Sequence, residues 1–426
     1  MMKAMASTYV RHTQSSSRAL EGLRICDFSG QLAGAGATRL LAALGAQVIR
    51  IEDPVREGRW DILRGSPPFI DGRRDINTGG AFNNHNVEKL GITVDLRQEK
   101  GRALVRRLVA ISDVVTENFA AGVLGRLGFG YDTLEELRPG IIYVSNCGFG
   151  HTGPYTAFKT WGPIVQACCG LTFSSALADQ PPAGWGYSYM DHMGAYFMAL
   201  AITAALVHRN RTGEGQWVDM SSVESGATLL GPETLNVTVN GHPSREPNRP
   251  GSNRNTSPSM APHGIYPAAA DDDWLAIACR DDEDWQRLRT VVGESVNDAR
   301  FVTLAGRIEF QDDLDARIGA WTQAQDRDVS VARLKAVRIP VSIVAQPRDR
   351  IDNDAASAEW RLWPTVHHSA IGEVRVDGLP MHFEKSDWSI TQGAPCLGED
   401  NDYVLGSLLN FDATEITELR SEGVIR

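Results

Sequence analysis

Residues 23–52 decide the fold and read LRICDFSGQLAGAGATRLLAALGAQVIRIE. Apolar, β-branched runs at residues 23–29 and 47–52 predict two strands, and the amphipathic residues 38–44 between them predict a helix. A strand, a crossing helix and a second strand form the unit from which parallel sheets are assembled. This stretch therefore predicts the start of a parallel sheet.

The alternation of strands and helices continues along the first half of the chain. Further strands are expected at residues 91–96, 113–117, 141–147 and 216–220, with helices at 100–110 and 190–208. Alternation of this kind is typical of a mostly parallel sheet that helices cover on both faces. The predicted fold class is α/β.

The length of 426 residues exceeds what one compact core usually reaches, so we expect two domains. The segment after residue 235 is rich in Asn, Pro, Ser and Gly with little apolar periodicity, which is typical of a linker. The expected division is a flexible tail at 1–19, a large domain at 20–235, a linker at 236–262, a smaller α+β domain at 263–338, and a C-terminal segment at 339–426 that returns to the large domain.

The composition is that of an ordinary globular protein, with 42% hydrophobic residues, 22% charged residues and a mean hydropathy of −0.23. The net charge of −11 argues against nucleic acid or an anionic membrane as a partner, because binding to phosphates needs a concentrated basic face. No apolar run approaches transmembrane length.

The six cysteines are scattered over the chain, at Cys26, Cys147, Cys168, Cys169, Cys279 and Cys396. No pair has the C-x-x-C spacing and none has a histidine at zinc-site spacing, so we expect free thiols and no bound metal. Free thiols are typical of a reducing compartment, and the expected location is the cytoplasm.

Glycines after the first strand, Gly30, Gly34 and Gly36, together with Glu52 at the end of the second strand, are similar to a dinucleotide-binding fingerprint. In that fingerprint the glycines admit a pyrophosphate and the acid binds a ribose hydroxyl. Arg39 occupies the place of the third glycine. We expect a related half-fold without a bound nicotinamide cofactor, and a nicotinamide-dependent oxidoreductase stays an alternative.

Polar and glycine-rich residues follow several predicted strands, at the edge where α/β proteins bind ligands. Lys89 precedes one strand and Arg126 follows another; each is suited to a phosphate group or is a plain surface cation. The loop GFGHTGPY at residues 148–155 follows the strand that ends at Cys147. It offers backbone N–H groups to a ligand, or it is an ordinary Gly-Pro turn.

Asp191 lies in YSYMDHMG, residues 187–194, at the start of the long apolar helix. The simplest interpretation is a helix N-cap, which the helix dipole favours. The functional interpretation is a nucleophilic carboxylate, which apolar and aromatic neighbours would partly desolvate. His192 points elsewhere and is expected to be structural. Asp219, at the end of the next strand, is expected to bind backbone or a cation.

Taken together, these motifs resemble the family III CoA-transferases, the CaiB/BaiF group that includes formyl-CoA transferase, carnitine CoA-transferase and α-methylacyl-CoA racemases. The resembling segments are residues 20–53, 86–128, 145–155, 191–222 and 394–399. The resemblance implies a Rossmann-like large domain, a smaller domain and two interlocked subunits, as a homodimer or as a heteromer with a paralogue.

The resemblance places the family's nucleophile on Asp191 and its contacts to CoA near Lys89, Asn118 and Arg126. Leu32 stands where formyl-CoA transferase has an active-site glutamine, with Gln31 beside it. Leu32 is therefore expected near the bound CoA, and Cys147 is expected there as well. Backbone amides of the loop from Gly148 to Gly150 are expected to stabilise an oxyanion.

The implied activity transfers CoA from an acyl-CoA to a carboxylic acid through a mixed anhydride and an aspartyl-CoA thioester, without a tightly bound cofactor or metal. Succinyl-CoA is the donor expected by analogy with the family. One alternative is an α-methylacyl-CoA racemase, which would need a histidine where the chain has TWGP at residues 160–163. Another is a catalytically quiet subunit of a heteromer.

Overall fold

The computed structural model describes residues 18–175, 180–241, 254–255 and 258–426. They form two compact units, the first from residues up to 171, 184–230 and 361–426, and the second from 172–183 and 231–360. Residues 1–17 of the expected tail, and residues 242–253 and 256–257 of the expected linker, lie outside the described residues. The linker was expected from residue 236, but the chain there is still inside a helix, Pro232–Asn240.

The first unit is built on a six-stranded parallel sheet with the order β3-β2-β1-β4-β5-β6. Its strands are β1 (Arg24–Asp27), β2 (Gln47–Glu52), β3 (Leu90–Thr93), β4 (Val114–Glu117), β5 (Ile142–Cys147) and β6 (Gln216–Ser221). The predicted α/β fold with a parallel sheet is confirmed. Because the strands run in one direction, the loops that follow β1, β4, β5 and β6 emerge at the same edge.

The helices of the first half of the chain are α1 (Ala33–Ala43), α2 (Gly80–His85), α3 (Glu99–Ala110), α4 (Val123–Arg126), α5 (Tyr131–Leu137), α6 (Gly162–Cys168), α7 (Leu171–Ser174), α8 (Tyr189–Thr212), α9 (Ser222–Ala227) and α10 (Pro232–Asn240). Those of the second half are α11 (Asp282–Val292), α12 (Leu304–Glu309), α13 (Gln311–Gln323), α14 (Arg327–Ala336), α15 (Pro347–Ile351), α16 (Ala355–Glu359) and α17 (Ala413–Ser421). Short 3-10 turns and the π-helical segment Tyr403–Leu408 complete the helical structure.

Alternate residues of the parallel strands enter two separate cores. Ile25 of β1 packs with Leu41 of α1 and Ile202 of α8 on one face of the sheet. Cys26 of β1 packs with Leu108 of α3 and with C-terminal residues on the other face. Both faces are therefore covered, which explains why the central strands read as continuous apolar runs.

Helix α1 begins at Ala33, five residues earlier than predicted, so Gly34 and Gly36 lie inside the helix, where they permit close packing. A β-carbon on Gly36 would lie 3.0 Å from that of Ala195 in α8, and one on Gly30 would lie 2.3 Å from the ring of Trp60. Arg39 is buried and donates to the backbone carbonyl of Asp377. Protein atoms thus occupy the space beside Gly30 and Gly36, which argues against the alternative of a nicotinamide-binding site there.

Helix α8 is long and apolar enough to cross a membrane by length and composition, with a mean hydropathy of 1.4 over 18 residues. The expectation that no run approaches transmembrane length is wrong for this helix. Met198, Ile202 and Leu206, however, pack against the sheet and α1. This packing is that of a core helix.

The second unit contains an antiparallel sheet with the order β7-β8-β9. Its strands are β7 (His263–Pro267), β8 (Trp274–Ala278) and β9 (Val341–Ile343). Trp285, Phe301 and Leu314 form its core with these strands. The small domain was expected to end at residue 338, whereas β9 pairs with β8 and the unit continues to Trp360.

From Arg361 the chain contributes to the first unit. It forms a hairpin of β10 (Thr365–His368) and β11 (Gly372–Arg375), then a C-terminal segment that packs on the sheet. Ile416 of α17 and Val424 lie in the same core as α3. The side chain of Asn401 accepts from the backbone N–H of Thr93 at 2.9 Å, which ties the segment to β3.

Candidate active site

A cavity of about 270 Å³ opens at the carboxyl edge of the parallel sheet. It lies where the strand order reverses between β1 and β4, which is where doubly wound folds bind ligands. The wall includes Gln31, Asn118, Phe119, Cys147, Gly148, Lys159, Thr160, Trp161, Asp191 and Ser222. These residues come from the loops after four parallel strands, from the segment before α6 and from the first turn of α8, and all belong to the first unit.

Asp191 is the carboxylate of this cavity. It lies in the first turn of α8, whose N-cap is Ser188, so Asp191 is not the capping residue that its sequence position favoured. Its carboxylate accepts hydrogen bonds from the Ser188 hydroxyl and from the backbone N–H of Gly162. Burial raises the pKa of Asp191 to about 6, and the hydrogen bonds from the two neutral donors only partly offset this increase. At neutral pH the group is therefore ionised and only partly hydrated.

Gly162, the first residue of α6, fixes the position of this carboxylate. A β-carbon at Gly162 would lie 2.7 Å from Asp191 Oδ2 and 3.0 Å from the β-carbon of Ser188. Real side chains do not approach so closely, so any other residue would displace the carboxylate. Because Gly162 has no side chain, its backbone amide at the start of α6 can contact the carboxylate of Asp191 in α8.

The turn after β5 makes internal contacts. The backbone N–H groups of Phe149 and Gly150 donate to Cys147 Sγ. Gly148 has no room for a side chain, because a β-carbon would lie 2.1 Å from Thr160 Oγ1. The Gly150 amide therefore has a sulfur acceptor, which does not fit the oxyanion role expected for it, whereas Gly148 lines the cavity. Burial raises the pKa of Cys147 to about 12, and the thiol is neutral.

His151 joins the ends of three parallel strands. Its backbone N–H and its Nδ1 both bond to Asp219 in the second half of β6, the ring nitrogen at 3.0 Å. Its Nε2 lies 3.6 Å from Glu117 Oε1 at the end of β4. Asp219 thus binds a backbone amide, as expected from the sequence. Burial raises the pKa of Glu117 to about 7.

The residues expected to contact CoA fall in three different environments. Lys89 is buried, and its ammonium donates to the carbonyl of Ala35 and to Asn86 Oδ1, each at 2.9 Å. Burial lowers its pKa to about 7. An internal lysine with internal acceptors does not fit the expected phosphate contact. Arg126, by contrast, is exposed at the end of α4.

Two further residues of the expected set lie at the first loop. Asn118 lines the cavity and bonds to the backbone of Gly30 in both directions, at 2.8 and 3.0 Å. Leu32 packs with Leu63 and Phe82 beside the loop, so it is a packing residue there. Its neighbour Gln31 lines the cavity instead.

Sequence reasoning missed the roles of Gly162 and His151, and gave Gln31 no role of its own. Gln31 has a φ of 53°, in the left-handed region, and its N–H donates to Asp61 Oδ2 at 2.9 Å. Non-glycine residues in that conformation cluster at functional sites. No local pattern marks this conformation, although the position after a parallel strand is a signal that could have directed attention to Gln31 and His151.

The sequence from residue 20 to 401 matches the profile of CoA-transferase family III. The succinyl-CoA–D-citramalate CoA-transferase of Chloroflexus aurantiacus is 32% identical over 97% of this chain and 100% of its own. The formyl-CoA:oxalate CoA-transferase of Streptomyces coelicolor is 30% identical over 96% of this chain and 100% of its own.

A CaiB/BaiF family protein from Brucella suis has the same fold in its crystal structure. It aligns with a TM-score of 0.83 at 30% identity, over 92% of this chain and 100% of that one. Sequence and structure thus agree over nearly the whole length. The resemblance inferred from the motifs is confirmed, and the chain belongs to CoA-transferase family III.

Proposed function

We propose that this family III CoA-transferase moves CoA from an acyl-CoA to a carboxylic acid through covalent intermediates on Asp191. The observation that carries the proposal is one largely buried carboxylate, held by two neutral donors at the wall of a partly open cavity. Such a group is ionised at neutral pH, yet few water molecules compete with it for an acyl carbon.

The first half of the reaction stores the thioester's energy on the protein. An Asp191 oxygen attacks the thioester carbonyl, and the CoA thiolate leaves as a mixed anhydride forms. The thiolate then attacks the side-chain carbonyl of Asp191. The donor carboxylate leaves, and a β-aspartyl-CoA thioester remains.

The second half reverses these steps with the acceptor. The acceptor carboxylate attacks the aspartyl thioester and releases the thiolate, which then attacks the acceptor's acyl carbon. The new acyl-CoA leaves and the Asp191 carboxylate is restored. No water enters any step, so the free energy of the donor thioester is conserved in the new thioester.

The Gly162 amide is suited to stabilise the oxyanion that forms on Asp191 itself. When the thiolate adds to the aspartyl carbon, negative charge develops on an oxygen of that side chain. The amide N–H already bonded to the carboxylate lies within reach of this charge. A fixed donor of this kind stabilises the transition state without reorganisation.

The donor and acceptor carboxylic acids are assigned only by their chemical class. The citramalate relative is named for succinyl-CoA, which supports our choice of succinyl-CoA as donor. Among the described residues that line the cavity, Lys159 is the one that carries a positive charge. This charge suits the second carboxylate of a dicarboxylic acid. Among those same residues no histidine lines the cavity, so a two-base racemase finds no support.

We also infer a cytoplasmic homodimer with interlocked subunits. The cysteines are free, as suits a reducing compartment. On α8, Tyr196 and Leu200 are 48% and 63% exposed, although their neighbours form the core of the first unit. A second subunit would cover such apolar side chains. A heteromer with a paralogue would cover them equally well.

The test is to trap the intermediate. The enzyme is incubated with succinyl-CoA, treated with hydroxylamine or borohydride, digested and analysed by mass spectrometry. We expect modification at Asp191 in the wild type and none in Asp191→Asn, whose amide cannot form the anhydride. An unmodified Asp191 in active enzyme, or transfer by Asp191→Asn at the wild-type rate, would overturn the proposal.

Arg126 provides a separate test of CoA binding. Its exposed guanidinium follows the β4 loop and is suited to the phosphates of CoA. We expect Arg126→Ala to raise the KM for acyl-CoA about tenfold while kcat changes less than about twofold. Arg138→Ala, another exposed arginine that precedes β5 at the opposite edge, serves as the control. A loss in kcat alone would contradict a binding role.

A further inference from the structure

A second group of reactive side chains lies beside the cavity. Cys147 Sγ lies 3.7 Å from His151 Nδ1, and that nitrogen lies 3.0 Å from Asp219 Oδ1. The three possible ligand atoms all lie within 4.8 Å of one another. We propose that Cys147, His151 and Asp219 bind a divalent transition-metal ion of the zinc class. This site was not expected from the sequence analysis, which predicted no bound metal, although Cys147 and His151 are separated by only three residues.

The distances suit a single ion with little rearrangement. Zinc lies about 2.0–2.3 Å from sulfur, nitrogen and oxygen ligands, so its tetrahedral ligands are about 3.3–3.8 Å apart. The separation between Cys147 Sγ and His151 Nδ1, 3.7 Å, falls within that interval, and the 3.0 Å between His151 Nδ1 and Asp219 Oδ1 is slightly shorter. Three protein ligands leave a fourth position, and Cys147 itself lines the cavity, so water or a small ligand can reach the ion.

The surroundings of the histidine fit a ligand role. A metal-bound histidine generally donates its other ring N–H to a carboxylate, which fixes the ring. With Nδ1 on the metal, His151 Nε2 faces Glu117 Oε1 at 3.6 Å. Glu117 is itself held by the Tyr143 hydroxyl at 3.0 Å and by the backbone N–H of Phe119. The ring therefore has a carboxylate behind it that is already fixed in place.

Two backbone amides favour the anionic form of the Cys147 sulfur, although burial keeps the thiol neutral as long as no metal is bound. The backbone N–H groups of Phe149 and Gly150 both point at Cys147 Sγ. Amides aimed at one sulfur stabilise a thiolate, which is the form that binds metal. The turn that was expected to serve an oxyanion thus serves the sulfur of Cys147.

The charge of the cluster favours a cation. Glu117 and Asp219 both face His151, and among the described residues neither carboxylate has a lysine or arginine as an ion-pair partner. A divalent ion would offset two of the three negative charges that the two carboxylates and a thiolate carry. Sulfur with imidazole selects zinc or cobalt over magnesium or calcium, because the latter prefer an all-oxygen shell.

A bound metal would replace the hydrogen bond between His151 and Asp219. Binding displaces the thiol proton and any proton on Nδ1, so the affinity should increase as the pH rises. Metal binding is measured without substrate, and its failure would leave the proposed CoA transfer untouched.

The test is a titration of the metal-free, full-length protein with Co²⁺, followed by displacement with Zn²⁺. We expect one equivalent to bind, with a thiolate-to-cobalt charge-transfer band in the near ultraviolet. Cys147→Ser should abolish the band, and His151→Gln or Asp219→Asn should weaken binding at least about tenfold. Cys168→Ser, which removes an exposed thiol, is the control and should bind as the wild type does.

X-ray absorption of the zinc-loaded wild type does not depend on whether the variants fold. One sulfur with nitrogen and oxygen neighbours is expected around the metal. The proposal is overturned if the wild type binds no stoichiometric metal at micromolar concentration. It is equally overturned if the metal shell lacks sulfur, or if folded Cys147→Ser keeps the charge-transfer band.

Discussion

Two carboxylates, Glu52 and Asp191, lie at the ends of secondary-structure elements in the first unit and have opposite surroundings. Glu52 ends β2, is 1% exposed, and forms a two-pronged ion pair with the buried guanidinium of Arg64. Asp191 lies in the first turn of α8 at the wall of a cavity, and its donors among the described residues are a hydroxyl and an amide.

The local sequence gives each acid two interpretations: Glu52 resembles the acid of a dinucleotide fingerprint, although no bound cofactor is expected there, and Asp191 has the position of a plain cap as well as that of the nucleophile. The contacts separate the two acids. A carboxylate that is paired with a guanidinium and closed off from solvent stabilises the fold. A carboxylate with neutral donors and an open side stays available to react, so the partners of an acid decide its role.

The largest expected effect comes from removing the buried acid. Glu52→Ala leaves Arg64 with a buried charge, because the side chain of Arg64 is 0% exposed and its remaining acceptors are neutral oxygens. We expect a loss of about 3–5 kcal/mol in the free energy of unfolding. The measurement is the midpoint of urea denaturation, followed by circular dichroism.

The control for this prediction removes an exposed acid instead. Asp402 pairs with Arg420 at 2.6 Å, but its side chain is 71% exposed. Asp402→Ala should therefore change the midpoint only slightly. Equal midpoints for the two variants would show that burial does not make the Glu52 ion pair more important for stability than the exposed Asp402 ion pair. The contrast between Glu52 and Asp191 would then lose its basis.

The second expected effect is on turnover and concerns the donor to Asp191. In Gly162→Ala the new methyl group would lie 2.7 Å from Asp191 Oδ2, so the carboxylate must move. A displacement near 1 Å at a reacting group costs about a hundredfold in rate. We expect kcat to fall about that much while the denaturation midpoint stays near that of the wild type.

Gly184→Ala is the matched change, because a β-carbon there meets nothing within 4 Å. It should retain full activity. If Gly162→Ala also retains full activity, then the amide of Gly162 does not position the nucleophile. A loss of folding in Gly162→Ala would instead assign this glycine to packing alone.

The parallel sheet was predictable because its pattern is local: residues 47–52 form β2 as expected, and β5 ends at Cys147 as expected. The loops at the carboxyl edge follow from that pattern. The contacts that distinguish Glu52 from Asp191 do not follow from that pattern, since Arg64 and Gly162 come into contact with these two acids only in the folded chain. Lys89 has the residue type and position of a phosphate ligand, yet Asn86 and Ala35 bind it internally. Long-range satisfaction of polar groups is therefore what sequence reasoning could not supply.

The smallest expected effect is a shift in the pH profile, and it tests whether Asp191 is the ionised nucleophile. Burial raises the pKa of Asp191 to about 6, so kcat/KM should fall as the pH drops through 6 and the carboxylate is protonated. The Ser188 hydroxyl favours the charged form, so Ser188→Ala should raise this pKa and move the acid limb to higher pH by up to about one unit. Glu117, whose pKa is raised to about 7, is the competing group, and Glu117→Gln should leave the limb in place. If the acid limb of the pH profile moves in Glu117→Gln and not in Ser188→Ala, the titrating group is Glu117, in the cluster around His151. The contrast between Asp191 as a reactive acid and Glu52 as a structural acid would then lose its support.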